Sequence, residues 1–552
     1  MPGDSRFEAG KPGGTITVAY VGPCCVGVDN NNPMDQGGDY EWTHLIMEHL
    51  NTNAVNPTTV SKNPFGGLYG GLVPELADSW EIGADKLTWT FKLHPGVKWH
   101  DGTPFTADDV KFSFELCLDP KIGTPCYPSG PLHTIAGADA VIAGTATDLT
   151  GVKVVDPTTI TITTVAPNAL LPFNVQDLFI VQKASVSKIP RAEIGKNPYW
   201  STPNDASGKG GVQGTGPFMV SGYAAGQSME VARNDNYWRS KPFLDKIVRR
   251  EFKDISSALI AFEAGEVDVT YITADDVEKE LASTVGTVLP GPSGVDLDIT
   301  CNPNKIADCA KVEVRQAIKY AIDRISILKS VYHIPDPHND LNCLYLNPAF
   351  NPEDVTKYGY DPQKAKDLLA AAGVDPTKWG EVTFDTYYQD AGSKSAMEAI
   401  QANLADIGIK VKIQQMDSAS WSARYYGAGT APGESQLSLI GGDGGPAAGG
   451  YGATSLHSNN AYPKGGNGWN GFHWTTPGMD AALDAVKAEF DPEARVKLLQ
   501  NVCKIDSESQ TYIQMWATTR YWMVNNRVGN FVNTPGPGMG NYYKAAEMWY
   551  IR

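Results

Sequence analysis

No run of apolar residues in the chain approaches the roughly 18–20 needed to span a bilayer, so nothing in it reads as a transmembrane helix. The opening Met1-Pro2-Gly3-Asp4-Ser5 is polar and lacks the apolar core of a signal peptide. No C-x-x-C pair occurs, which removes the usual zinc and dithiol patterns. No G-x-S-x-G nucleophile elbow occurs either. The glycine-rich Gly208-Lys-Gly-Gly-Val-Gln-Gly214 misses both the Rossmann and the P-loop spacing and reads as a flexible connection. The histidines are scattered: His333, His338 and Asp340 fall in a loop, and His44 and His49, read as helical, are one residue off same-face spacing. The pattern therefore gives no cofactor and no metal site.

Basic residues are in deficit. With 45 Lys and Arg against 62 Asp and Glu, the net charge of −17 excludes nucleic acid and anionic membrane surfaces as partners. That charge serves solubility first, and a steering field for cationic ligands second. At 552 residues, 42% of them apolar, the chain is long enough for more than one packed core.

Eight cysteines are present. Cys117 and Cys126 bracket one turn-like segment, and Cys301 and Cys309 another, so both pairs are expected to be loop-pinning disulfides made in an oxidising compartment. Cys24 and Cys25 are adjacent and leave a vicinal bond or two separate bonds open. Cys343 and Cys503 stay unassigned.

The most informative stretch is 71–120. Leu87-Thr88-Trp89-Thr90-Phe91-Lys92-Leu93 alternates as a half-buried strand. Turns follow at Pro95-Gly96 and Asp101-Gly102, and Thr106-Ala-Asp-Asp109 is a capping box opening a helix. Further along, Gly14–Tyr20 reads as a strand, Trp42–Leu50 has helical spacing, and Gly151–Thr163 reads as a hairpin turning at Asp156-Pro157. Gly214-Thr-Gly-Pro-Phe218, Asn234-Asp-Asn-Tyr-Trp238 and the helix ending in Gly265-Glu-Val-Asp268 come next. Val295–Ile299 alternates as a strand, and Val312–Ser330 reads as one helix with an apolar face. Asp361 caps a helix that stops at Gly373, Ala396–Ile407 leads into a strand from Ile409, and Asp491 starts a long helix before a strand at Ile513.

In that order, from about residue 14 to the C-terminus, these segments resemble the family 5 bacterial extracellular solute-binding proteins, the peptide- and oligosaccharide-capturing subunits of ABC importers. The resemblance implies an α/β, two-lobed periplasmic-binding-protein fold (a Venus flytrap) with an extra subdomain on the N-terminal lobe. Lobe I would be 1–48 plus 190–292 plus 515–552, the extra subdomain 49–189, and lobe II 293–514, with crossovers near 290–300 and 510–520. It also implies a monomer without enzymatic activity that docks on permease subunits. The location would be periplasmic or extracellular, free or lipid-anchored, with the leader removed from this chain.

Two features are candidates for the ligand cleft. Leu439-Ile-Gly-Gly-Asp443-Gly-Gly-Pro446 is an apolar strand end running into a glycine-rich loop with one acid. Asp443 fits the place where peptide-binding members pair an Asp with the ligand's ammonium, although the loop lacks their further acidic and Asn residues. The plain alternative is a turn-forming Asp before Gly. The second feature is aromatic: Trp421 and Tyr426 in one cluster, Trp469 and Trp474 in the loop Lys464–Trp474, where an indole face can stack on a sugar or a side chain. Trp80, Trp89, Trp99 and Trp238 are expected to be packing residues. A peptide is the first expectation and an oligosaccharide the second. A secreted hydrolase with a paired Asp/Glu is the remote alternative.

Overall fold

The computed structural model describes residues 8–21, 32–34, 40–53, 72–122, 132–176, 178–333, 355–427, 432–443, 455–460, 470–531 and 542–552. The stretch 72–120 folds as its pattern dictates. Trp89, Phe91 and Leu93 point inward from the strand Thr88–Leu93. Gly96 and Gly102 take φ of +82° and +84°, which the two turns require and a side chain would resist. The Asp109 carboxylate accepts from the Thr106 N–H at 3.0 Å and starts the helix Ala107–Leu118.

In chain order the strands are β1 (Thr15–Val21), β2 (Asn51–Asn53), β3 (Leu72–Pro74), β4 (Ala77–Ile82), β5 (Thr88–Leu93), β6 (Val152–Asp156), β7 (Thr159–Thr163), β8 (Phe218–Ala224) and β9 (Ser228–Arg233). They continue with β10 (Lys246–Phe252), β11 (Val269–Ile272), β12 (Gly286–Cys301), β13 (Glu381–Thr386), β14 (Lys410–Gln415), β15 (Leu437–Asp443), β16 (Ile513–Asn525), β17 (Val528–Gly529) and β18 (Tyr550–Ile551). One sheet runs β14-β13-β15-β12-β16-β11-β1-β10-β9-β8, and a second, of four strands, runs β4-β5-β7-β6. The molecule is two-lobed. β12 and β16 pair along both of their halves and carry the chain between the lobes, with register shifts between Pro292 and Asp296 and between Leu297 and Asp298. Their first shared stretch continues into β11 of lobe I and their second into β15 of lobe II.

One apolar cluster joins Ile16, Val18 and Ile247 of the lobe I sheet to Phe91, Ile160 and Ile162 of the four-stranded sheet. The extra subdomain is thus packed onto lobe I through a shared core. Lobe II has its own clusters, one built on Leu297, Ile299, Phe384 and Leu439, the other on Trp421, Tyr425, Trp474 and Leu499.

Three local expectations are corrected. The helical spacing at Trp42–Leu50 yields a single turn, Tyr40–Thr43. The Leu45 and Ile46 carbonyls that would continue it instead accept from the N–H groups of Phe218 and Gly216. That close approach is why Gly214 and Gly216 are glycines: a Cβ on Gly214 would sit 1.8 Å from the Ile46 oxygen. The Val312–Ser330 helix is two helices, Val312–Ala321 and Arg324–Ser330, because Asp323 leaves the helix to cap the second by accepting from Ser326 N–H at 3.1 Å. The Gly208–Gly214 stretch is pinned, not loose. The buried Gln213 amide donates to Asn204 Oδ1 and to the Gly208 and Gly211 carbonyls at 2.8–3.0 Å.

Cys301 and Cys309 are bonded, with Cα atoms 5.6 Å apart across the turn they close. Cys117 and Cys503 are each disulfide-bonded. Cys24, Cys25, Cys126 and Cys343 lie outside the described residues.

Candidate functional site

Strand direction locates the site. In lobe I, β1 runs parallel to β10 and β11, so Val21, Phe252 and Ile272 lie at one carboxyl edge. In lobe II, β13 is parallel to β14 and β15, so Thr386, Gln415 and Asp443 lie at another. Because β15 is antiparallel to β12 while β1 runs with it, the two edges point toward each other across the middle of β12. Ligands of open α/β sheets bind in the crevice outside such edges. The backbone of Asp443 ends β15 opposite Val295, beside the register shift at Pro292–Asp296.

The lobe II edge is aromatic. Tyr387 and Tyr388 follow β13 with their rings 4.4 Å apart. The Tyr387 hydroxyl accepts from Gly441 N–H at 3.3 Å and donates to Tyr388 Oη at 3.1 Å, which ties this pair to the end of β15. Asp390 and Asp417 cap the helices Ala391–Asp406 and Ser418–Tyr426 that follow β13 and β14. Both helix N-termini, with their positive dipole ends, therefore lie at this edge.

Trp421 supports this surface from beneath. It is 6% exposed, its ring stacks on Tyr425 at 4.7 Å and 15°, and its indole N–H donates to Ser438 Oγ at 2.9 Å. Ser438 Oγ donates in turn to the Asp385 carbonyl, and the buried Asp385 carboxylate accepts from Ser435 and Arg424. Tyr426 is half-buried and meets Trp421 edge-on at 5.8 Å. Trp474 is 7% exposed, although a Gly/Asn loop favours an open ring. The Asn470 amide brackets its backbone with bonds of 2.7 and 2.8 Å, and the Arg315 guanidinium lies 4.7 Å over its ring. Trp421 and Tyr426 are thus brought to one place, while Trp421 and Trp474 present little ring surface in this conformation. Trp469 lies outside the described residues.

Sequence reasoning missed the charges at the base of the site. Asp296 and Asp298 project from one face of β12 while Leu297 and Ile299 pack into the core on the other. Asp506, from the helix Pro492–Ser509, joins them and accepts from Gln514 Nε2 at 3.0 Å. Burial pushes the Asp296 carboxyl up to about 6 and Asp506 up to about 7, the latter partly offset by the Lys319 ammonium. Burial, reinforced by the charges of Asp296 and Asp506, raises Asp298 well above the usual carboxylate range. The alternation Val295-Asp-Leu-Asp-Ile299 carried the signal: two acids on one face of a strand whose neighbours are all buried.

Lobe I handles its buried acids differently. Glu48 accepts from the Tyr237 hydroxyl at 2.9 Å and from the Trp238 N–H at 2.8 Å. Burial still raises it to about 7, against the Arg239 charge. Glu75 accepts from the His49 N–H at 2.8 Å. Burial raises its carboxyl, but the bonds and charge of His49 outweigh that and hold it below its usual range. The Asn234–Trp238 segment is therefore a clamp on Glu48 within lobe I. Among the described residues no group of His, Cys, Asp and Glu is placed to hold a metal, and no helix is long and apolar enough to cross a membrane.

Residues 71–462 match the model of the bacterial extracellular solute-binding proteins, family 5 Middle. A putative ABC transporter peptide-binding protein of Brucella ovis is 30% identical over 542 residues, 98% of this chain and 94% of that one. Among solved structures, the oligopeptide-binding protein AppA of Bacillus subtilis, in complex with a nonapeptide, superimposes with a TM-score of 0.77 at 18% identity, covering 99% of this chain and 100% of that one. NikZ of Campylobacter jejuni, in complex with Ni(L-His), does so with a TM-score of 0.76 at 21% identity, covering 97% and 99%.

Proposed function

We propose, from the premise that the chain belongs to the bacterial extracellular solute-binding proteins of family 5, that it captures a peptide between its two lobes and delivers it to the permease of an ABC importer. Members of this family bind solutes for transport and make or break no bond in them. The moving bodies are 1–48 with 190–292 and 515–552, carrying subdomain 49–189, and 293–514. The protein acts as a monomer outside the cytoplasmic membrane, free or lipid-anchored. Ligand touching both lobes shifts the population toward the closed form, which docks on the permease subunits.

One observation carries the peptide reading: the backbone of Asp443 ends β15 at the lobe II carboxyl edge, opposite the crossover strand. A carboxylate there pairs with a peptide's α-ammonium, and desolvation on closure makes that pair orienting. Tyr426, with Trp421 beneath it, forms the aromatic wall for the first side chains. Trp474 supports the same surface, and Trp469 is assigned to its rim. The oligosaccharide reading draws on the Trp-rich Gly/Asn loop, and the packing of Trp474 in that loop offers it no support.

The test is a thermal-shift screen with a mixed tripeptide pool and a mixed oligosaccharide pool, since a ligand that binds the native state raises the melting temperature by mass action. The peptide pool should shift it, and N-acetylating that pool should remove the shift. A response to oligosaccharides alone would replace the peptide with a sugar. Equal responses to free and acetylated peptides would remove Asp443 from its ammonium role.

A further inference from the structure

We infer that the extra subdomain carries a latch, residues 168–173, that seats in lobe II and holds the two lobes together independently of ligand. The inference rests on the reading that the lobes open and close. It adds the element that sets how readily they do so.

The contact is built from both sides. On the subdomain, the Trp89 N–H donates to the Asn168 carbonyl at 3.0 Å. The fully buried Asn168 side chain accepts from Leu170 N–H at 3.0 Å and donates to Thr134 Oγ1 at 3.1 Å. The turn is therefore fixed before it leaves its own body. Ala169 N–H then donates to the Lys487 carbonyl of lobe II at 2.8 Å. Leu170 is 5% exposed and belongs to the lobe II cluster of Leu483, Val486 and Leu499, with Phe173 packed against the same cluster. The Trp89 ring stacks on Phe490 at 6.2 Å and 28°. On lobe II, Arg495 fixes the receiving turn by donating to the Glu489 and Phe490 carbonyls at 2.7 and 3.3 Å.

The subdomain shares its core with lobe I, so it moves with lobe I. A leucine rooted in one body and buried in the core of the other is a knob across the moving interface. Opening at the β12 register shift must withdraw it, exposing the leucine and its socket together. Asn168 is held by its hydrogen bonds to Trp89, Thr134 and Leu170, so the latch is preorganised and loses little ordering entropy on seating.

The experiment has two arms. In the first, small-angle scattering of the ligand-free protein gives the radius of gyration for the wild type, for Leu170→Ser, and for Phe490→Ala on the opposite side. Phe490→Ala supplies an independent answer if Leu170→Ser fails to fold. An oxidised Ala169→Cys/Lys487→Cys protein serves as the closed reference. The latch predicts the smallest radius for the crosslinked protein, a larger one for the wild type and a larger one still for both single variants. Equal radii for all four proteins, or a wild type already as wide as the single variants, would overturn it. In the second arm, exchange of a bound tripeptide pool against an isotope-labelled pool is followed by mass spectrometry. The single variants should exchange about tenfold or more faster. The crosslinked protein should not exchange until the bond is reduced. Unaltered exchange in all variants would likewise overturn the latch. The scattering arm uses no ligand, so a failure of the peptide reading leaves it intact.

Discussion

Lobe I and lobe II bury acids to different ends. In lobe I three buried carboxylates are clamped by side chains of the same lobe: Glu48 by Tyr237 and Trp238, Glu75 by His49, Asp268 by Arg527 at 2.7 Å. In lobe II, Asp296, Asp298 and Asp506 lie together at the crossover strands, each with one carboxylate oxygen that receives no hydrogen bond. Beside them the aromatic edge of Tyr387, Tyr388 and Tyr426 stands over Trp421. Carboxylates tied off in this way stiffen lobe I as a frame. A lobe that keeps unsatisfied acceptors next to its carboxyl edge is where recognition and opening are adjusted.

The sharpest way to break this contrast is Trp421→Ala. If Trp421 is the floor of the lobe II edge, its loss removes the Tyr425 stack and the donor to Ser438 Oγ, costing about 3–5 kcal/mol of stability. Urea denaturation followed by circular dichroism would measure it. A loss under about 1 kcal/mol would mean the ring is a surface feature, and the lobe II edge would lose its support. Next in size is Asp443→Ala. Removing one partner of a desolvated charge pair should weaken the binding of a tripeptide by about 2–5 kcal/mol while leaving the melting temperature of the ligand-free protein nearly unchanged. Calorimetry with the free and the N-acetylated tripeptide reads both, and the acetylated one should not discriminate between the proteins.

Much of the frame was legible in the sequence because it is written in periods. The alternation of Leu87–Leu93 and Gly151–Thr163 became β5, β6 and β7 almost residue for residue. What failed was set by partners distant in sequence. Trp42–Leu50 has helical spacing, but Gly216 and Phe218 take its carbonyls. The site was legible as a place, the end of β15, and less so as a set of side chains. Trp421 and Tyr425 are four apart on a helix, a same-face pair, which already favours packing over display. Trp474 gave no such sign, since Arg315 and Asn470 reach it from elsewhere in the chain. The Asp296–Asp298 pair was visible as a pattern, but its meaning needed Asp506, about two hundred residues away.

A smaller effect tests whether the buried acids of the two lobes differ in behaviour. Asp296, Asp298 and Asp506 all titrate higher when folded than when unfolded. The stability they favour is therefore complete below about pH 4, where the unfolded carboxyls are protonated too. It is lost as pH rises through about 6 to 7, because the unfolded chain ionises and the folded one must follow at a cost. Glu48 and Glu547 in lobe I, each raised to about 7, act in the same direction. Lowering the pH from 8 to 6 should raise the melting temperature by about 1–3 °C. Asp506→Asn should flatten that rise more than Glu547→Gln does, because Asp506 also relieves Asp298. Equal flattening by the two variants would erase the distinction between the lobes.

The smallest effect is expected at the exposed contact between the lobes, where His333 Nε2 meets Asp275 Oδ1 at 3.0 Å. Both side chains are more than half exposed, so water and salt compete for the pair and its ordering entropy offsets most of the attraction. His333→Ala should change stability by about 0–1 kcal/mol, and any change should vanish in 0.5 M salt. The fully buried Asp268, paired with Arg527 inside lobe I, supplies the contrast: Asp268→Asn should cost about 3 kcal/mol or more, because it leaves a guanidinium held against a neutral amide. Melting curves of both variants at low and high salt decide it. A His333→Ala loss comparable to that of Asp268→Asn and insensitive to salt would mean that the lobes are joined by a desolvated charge pair, and the division between a fixed frame and an adjustable lobe would have to be redrawn at that contact.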